Sequence, residues 1–249
     1  MDELILHSYK DKELKNTVAV VGFPSIGLVS SIAANFMARE LKLEMVAGIS
    51  SPDFPPYALM QNGVPMPPIR IYAGDRNCDD DSGLNCDSLV VITSEFMPKM
   101  EQHYSIAMTV LDWLAANDIR TVITLDGIHP ASQGEHVLLG AGSTDAARDI
   151  MKKYEIDEFV DGMIRGTSGV MLFEGANRDI DVLTLLGSAK ADMPDPRGAA
   201  KLMEPLGKML PELKIDTEPL YTEADELEKR MSGQPNAPPT LPRDQLLYG

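Results

Sequence analysis

Three residues in this sequence are of the types that hydrolytic chemistry uses: Ser25 in VVGFPSIGLVS, and Asp126 and His129 in TLDGIHP. A serine becomes a nucleophile when an imidazole takes its proton and a carboxylate orients that imidazole. Asp126 and His129 follow the apolar run VITL, and the ends of strands are where α/β proteins place chemistry. The same pair has a plainer reading, because Asp-Gly is a common turn and a histidine ahead of Pro130 can simply close it. Around Ser25, the stretch from Gly22 to Gly27 has the look of a strand, glycine turn and helix start that cradles phosphate on free backbone amides. Its details depart from the known patterns. Leu28 and Val29 stand where a P-loop needs Lys then Ser or Thr, no G-x-G-x-x-G is present, and Ser25 is not framed as G-x-S-x-G. It reads rather as a plain sharp turn packing a helix on a sheet. A small-molecule hydrolase or phosphorylase using the Gly22 to Gly27 loop is therefore one function class to test.

Metal chemistry finds less support. The histidines His7, His103, His129 and His136 form no H-x-x-x-H pair. The acidic loop DRNCDDDSGLNCD, residues 75–87, carries Asp80 and Cys86 where an EF-hand wants glycine and a carboxylate. It reads as a solvated hairpin, and neither a metal nor a cofactor is expected. Cys78 and Cys86 share that loop and are expected to be reduced thiols, a loop-closing disulfide being the alternative. With 22 Lys and Arg against 38 Asp and Glu, the formal charge is -16, which disfavours nucleic acid and anionic membrane surfaces as partners. MDELILHSYK lacks the basic start and long apolar core of a secretory signal, and no apolar run is long enough to span a bilayer, so a cytoplasmic protein is expected.

The elements that must position these residues alternate. Strand-like runs lie at 17–23, 45–50, 69–74, 88–95, 120–128, 136–142, 169–175 and 181–189, several of them near-continuous in Val, Ile and Leu. Such runs are buried on both faces, which predicts an α/β fold with a largely parallel sheet between helices. Helices are expected at about 26–41, 102–118, 145–154 with Ser143-Thr144 as cap, and 195–213 with Pro196 in its first turn, Pro205 threatening a kink in the last. The organisation read from composition is a core domain over 1–214, an amphipathic helix over 215–231 with the stripe Leu220, Ala224, Leu227 and Met231, and a Pro-rich tail over 232–249. Residues 232–245, if polyproline-like at ~3.1 Å per residue, reach about 40 Å. They carry an ending, Leu246-Leu247-Tyr248-Gly249, whose apolar groups no nearby element is placed to bury.

Several stretches together resemble the proteasome assembly chaperone family, in particular the archaeal homologues of the second eukaryotic chaperone. They are VAVVGFPSIGLVSSIAANFMARELKLEMVAGI, SSPDFPPYALMQNGVPMPPIRIY, RGTSGVMLFEG and ADMPDPRGAAKLMEPLGKMLPELKIDTEPLYTEADELE, spanning about residues 16 to 231. Pro24-Ser25-Ile26-Gly27 stands where the family pattern has Pro-Gly-Ile-Gly. The resemblance implies a three-layer sandwich similar to phosphorylases and related hydrolases, without catalysis. It also gives the ending a use, since Leu247, Tyr248 and Gly249 match the hydrophobic-tyrosine-any ending that enters pockets between α subunits of the core proteasome. On that reading Leu247 fills an apolar subsite, Tyr248 wedges against a subunit turn, and the α-carboxylate of Gly249 pairs with a pocket lysine. Single flexible tails bind weakly, so a homo-oligomer presenting several is expected. Phe54, Pro55, Pro56, Tyr57 and Met60 either line a subunit contact or fold over their own sheet edge.

Overall fold

The computed structural model describes residues 4–75, 83, 84, 86–129, 137–211 and 214–232. Eleven strands and six helices follow one another in these segments. The strands are β1 (Ile5–Ser8), β2 (Thr17–Gly22), β3 (Glu44–Ser50), β4 (Leu59–Gln61), β5 (Val64–Met66), β6 (Ile69–Asp75), β7 (Ser88–Ser94), β8 (Thr121–Ile128), β9 (Leu138–Gly142), β10 (Asp157–Glu158) and β11 (Asp181–Ser188). The helices are α1 (Val29–Glu40), entered through a 3-10 turn at Ile26–Leu28, α2 (Gln102–Ala116), α3 (Asp145–Lys153), α4 (Gly166–Asn177), α5 (Pro196–Met209) and α6 (Glu218–Ser232).

One nine-stranded sheet runs in the order β1-β3-β6-β7-β2-β8-β11-β9-β10, and β4 with β5 forms a separate hairpin. Alternate residues of its strands face opposite sides. Val18 and Val20 of β2 join Ala33, Phe36 and Met37 of α1 and Leu202, Met203 and Leu206 of α5 in one core. Ala19 and Val21 join Ile106, Val110, Leu111 and Leu114 of α2 and Met171 of α4 in the other. The result is the expected α/β sandwich of three layers. The sheet is more mixed than the buried runs predict. β7, β2, β8 and β11 are parallel at the centre, whereas β6 pairs antiparallel with β7, β3 with β6, β1 with β3, and β9 with β11. A strand covered by helices on both faces is apolar at every position in either direction, so hydrophobicity does not carry this information.

One expected strand is a helix. Residues 169–175 lie within α4, where Thr167, Met171 and Gly175 recur every fourth residue on the buried side while Phe173 is exposed. A Cβ on Gly175 would stand 2.5 Å from the Val182 side chain, so glycine is what lets α4 lie this close to β11. The other helices fall close to their expected places. Thr144 Oγ1 accepts the Ala147 amide at 3.1 Å as the cap of α3, and α5 runs unbroken through the buried Pro205 to Met209. Leu220 and Ala224 of α6 are buried against the body of the same chain, with Arg197 and Asp225 paired across α5 and α6. In the proline-rich segment, Phe54 is buried against Phe96 with ring centroids 4.6 Å apart, in keeping with the alternative that the segment folds over its own sheet, while Tyr57 and Met60 are exposed. Cys86 is buried, and Cys78 lies outside the described residues.

The approach of α1 to the sheet depends on Gly22. A Cβ there would lie 2.3 Å from the Ser30 carbonyl oxygen and 2.6 Å from Ala34 Cβ, both held by the helix. Gly22→Ala is expected to destabilise the protein by about 2–3 kcal/mol, the upper part of the overpacking range, because backbone rather than a flexible side chain must move. The urea midpoint, at unchanged slope, measures this.

Candidate functional site

The parallel centre of the sheet brings the carboxyl ends of β2, β8 and β11 to one edge, and a cleft of about 990 Å³ opens there. The segment Phe23–Leu28 forms one wall, the end of β8 the floor, and residues 163–168 leading into α4 another wall. Two glycines allow this crowding. Gly27 adopts φ +61, and its carbonyl accepts the Asp195 amide at 2.8 Å, tying the turn to the start of α5. A Cβ on Gly127 would meet the Ile26 carbonyl oxygen at 2.6 Å. Asp126-Gly127 is accordingly no turn. Both residues belong to β8, which corrects the plainer sequence reading of LDGI.

The strand carries Asp126 into the cleft. Its Oδ1 accepts the Gly127 amide at 2.8 Å, and the hydroxyls of Ser25 and Ser168 donate to the same carboxyl group. Ser25 also shares a short hydrogen bond with Ser30, in the first turn of α1. Asp126 is partly open to the cleft, yet its carboxyl group lies within a shell of protein atoms. That desolvation pushes its pKa up to about 6, the three hydrogen bonds opposing the rise. Elsewhere on the cleft wall, His103 Nδ1 and Thr167 Oγ1 are 2.9 Å apart, and burial lowers the pKa of His103, favouring the neutral imidazole. His129 is exposed at the mouth, and among the described residues no hydrogen bond joins it to Asp126 or Ser25.

Of the three expected reactive residues, then, the structure brings Ser25 and Asp126 together and leaves His129 apart. Ser168, Thr167 and His103 complete the cluster. Reading 169–175 as a strand hid the first two, since they become cleft residues only as the opening turn of a helix. Among the described residues no group of three His, Cys, Asp or Glu side chains could hold a metal ion. No helix among them is long and apolar enough to cross a membrane. The partner-binding residues expected from the sequence, Leu247, Tyr248 and Gly249, lie outside the described residues, as does His136.

The state of Asp126 has a measurable consequence. Because its folded pKa is raised, the native state binds a proton that the unfolded chain has already lost between about pH 4 and 6, so this group's contribution to stability falls as pH rises through that window. Asp126→Asn stays neutral throughout. It is expected to raise stability by about 1–3 kcal/mol at pH 7.5 and to change it little at pH 4, as thermal melts at the two pH values would show.

Known proteins share this architecture. PbaA of Pyrococcus furiosus, an archaeal homolog of proteasome-assembly chaperone, superimposes with a TM-score of 0.80 at 28% identity, covering 92% of this chain and 90% of its own. PbaB of the same organism, an archaeal proteasome activator, does so with a TM-score of 0.78 at 25% identity, over 94% of this chain and 99% of its own. An uncharacterized protein of Methanocaldococcus jannaschii is 26% identical over 219 residues, 88% of this chain and 85% of that protein. The sequence model of the PAC2 family matches residues 19–234, from the first strand of the parallel centre to the end of α6, and the chain belongs to that family.

Proposed function

We propose that this protein is a non-enzymatic proteasome assembly chaperone or adaptor that binds the α ring of the core (20S) proteasome through Leu247, Tyr248 and Gly249. The observation that carries the reading is the likeness to PbaA and PbaB over more than nine-tenths of this chain, at TM-scores of 0.80 and 0.78. The ending supplies the means. A leucine and a tyrosine bury side by side while the terminal carboxylate of Gly249 meets a lysine of the α ring, and the proline-studded stretch before them lets the ending dock away from the domain. Each tail alone binds weakly because ordering it consumes part of the gain. Several copies in a homo-oligomer raise the effective concentration, by about 10² to 10⁴ when geometry allows simultaneous docking. The exposed Tyr57, Met60 and Val64 around the β4–β5 hairpin are the surface proposed for the contact between copies.

A non-catalytic role fits the cleft as well, because among the described residues no imidazole is hydrogen-bonded to Ser25 or Asp126, and a serine without such a base is not activated. The test is a pull-down of recombinant α subunits with the full chain and with a chain ending at Ser232. Retention by the full chain alone is expected; equal retention by both would refute tail docking. Light scattering that shows only a monomer at micromolar concentration would remove the multivalent part of the proposal.

A further inference from the structure

Buried carboxylates in proteins are normally matched by a cation or kept protonated. Asp126 has hydroxyl and amide donors around it, but among the described residues no lysine or arginine pairs with it. The remaining titratable side chains of the cleft do not fill that place. His103 is held by Thr167 and disfavours its charged form, His129, Arg165 and Asp192 are exposed on the rim, and the Arg165 Nε is directed at Met163 Sδ, 3.4 Å away. The space above Asp126 is walled by apolar groups: Phe23, Ile26, Ile128, Phe159, Met163 and Ile164. A charge without a counter-charge among the described residues costs stability, and perturbed titratable groups of this kind cluster where a ligand uses them.

We propose that this cleft binds a small molecule made of a primary ammonium group on an apolar body, the ammonium seated on Asp126 and the body against the Phe23, Phe159 and Met163 walls. Three donors of the ammonium match the acceptors available at the floor. One is the Asp126 carboxylate; the lone pairs of Ser25 and Ser168 remain after their hydroxyls have donated to it. A carboxylate ligand would meet like charge at the same point, and a hydrocarbon would leave the floor unmatched. The site is built from residues 23–28, 97, 103, 126–129, 159, 163–168, 186 and 191–194, whereas the proposed docking uses Leu247, Tyr248 and Gly249, so the two are tested separately.

The test uses the full chain and three probes with the same indole body and ethylene arm: tryptamine, tryptophol and indole-3-propionate. Titration calorimetry is expected to show tryptamine binding at least about tenfold more tightly than either other probe, the margin of one charge-assisted hydrogen bond. Amide NMR shifts should centre on Gly127 and Ser168. Asp126→Asn, which keeps the side chain's shape and removes the charge, should lose about the same factor for tryptamine and leave tryptophol unaffected. Indole-3-propionate binding as tightly as tryptamine, tryptamine binding Asp126→Asn undiminished, or no probe binding at millimolar concentration would each overturn the proposal. The comparison among probes on the unmodified protein needs no variant, so a folding defect in Asp126→Asn would not protect it.

Discussion

Tyr248→Ala is expected to abolish retention of proteasome α subunits while leaving the melting temperature of the protein unchanged. The proposed docking makes the tyrosine ring the largest group that an ordered tail buries, and truncating such an anchor at an interface costs about 2 kcal/mol or more, roughly 30-fold in affinity for one tail. In an oligomer the loss recurs at every tail and is compounded, since simultaneous docking converts each single-site loss into a loss of avidity. The domain should not register the change, because on this reading the tyrosine is buried in the α ring and not in its own domain. A chain extended by one alanine after Gly249 sharpens the experiment. It keeps every side chain and moves only the carboxylate, so it should fail in the same way if the lysine pairing is what seats the tail. Surface plasmon resonance against immobilised α rings reads both variants. Undiminished binding by either would sink the docking scheme, whereas a lowered melting temperature would show that the ending belongs to the fold.

The second large effect concerns Arg70 in β6. Its side chain is among the largest that are wholly buried, with the residue 1% exposed. The Nη2 group donates to Asn35 Oδ1 at 3.1 Å and to the carboxylate of Glu95, while Nε and Nη1 meet no hydrogen-bond partner among the described residues. Removing the carboxylate alone strands the guanidinium in the core. Glu95→Ala is therefore expected to cost about 3 kcal/mol, the low end for breaking a buried pair, because the Glu95 side chain is 38% exposed and water can replace part of it. Arg70→Met removes the charge together with its unmatched donors and keeps a long apolar stem. It is expected to be neutral or stabilising by up to about 2 kcal/mol, and Glu95→Ala added to it should then cost little. Urea midpoints of the two single variants and the double variant close the cycle. A cost for Arg70→Met equal to that of Glu95→Ala would mean that the pair, as a pair, supports the native state.

Much of the fold is legible in residue order. The alternating strands and helices, the cap at Thr144, the N-terminal proline of α5 and the apolar stripe of α6 all follow from local rules whose information lies within a few residues. The misread segment shows where those rules stop. GVMLFEG is apolar enough for a strand and too short for periodicity to decide, and what makes it helical is the fit of Met171 and Gly175 against α2 and β11. The direction of the flanking strands is hidden for a related reason, since a pattern of burial has no polarity along the chain.

The cleft divides in the same way. Ser25 and Asp126 stand out in the sequence because their residue types do chemistry, but Ser168 carries no such signal until α4 presents it to the same carboxyl group. Residues 25, 126 and 168 come together only because β2, β8 and β11 are adjacent in the sheet with their carboxyl ends at one edge. The chain's residues by themselves determined which segments would be buried, the α/β class and the apolar ending on its proline-rich stretch, since hydrophobicity and turn chemistry act locally. Strand order and direction, the lack of a hydrogen bond between His129 and Asp126 and the absence of a counter-charge to that carboxylate among the described residues were decided by tertiary structure alone. Distances between residues a hundred positions apart depend on how whole elements pack, which no local pattern encodes.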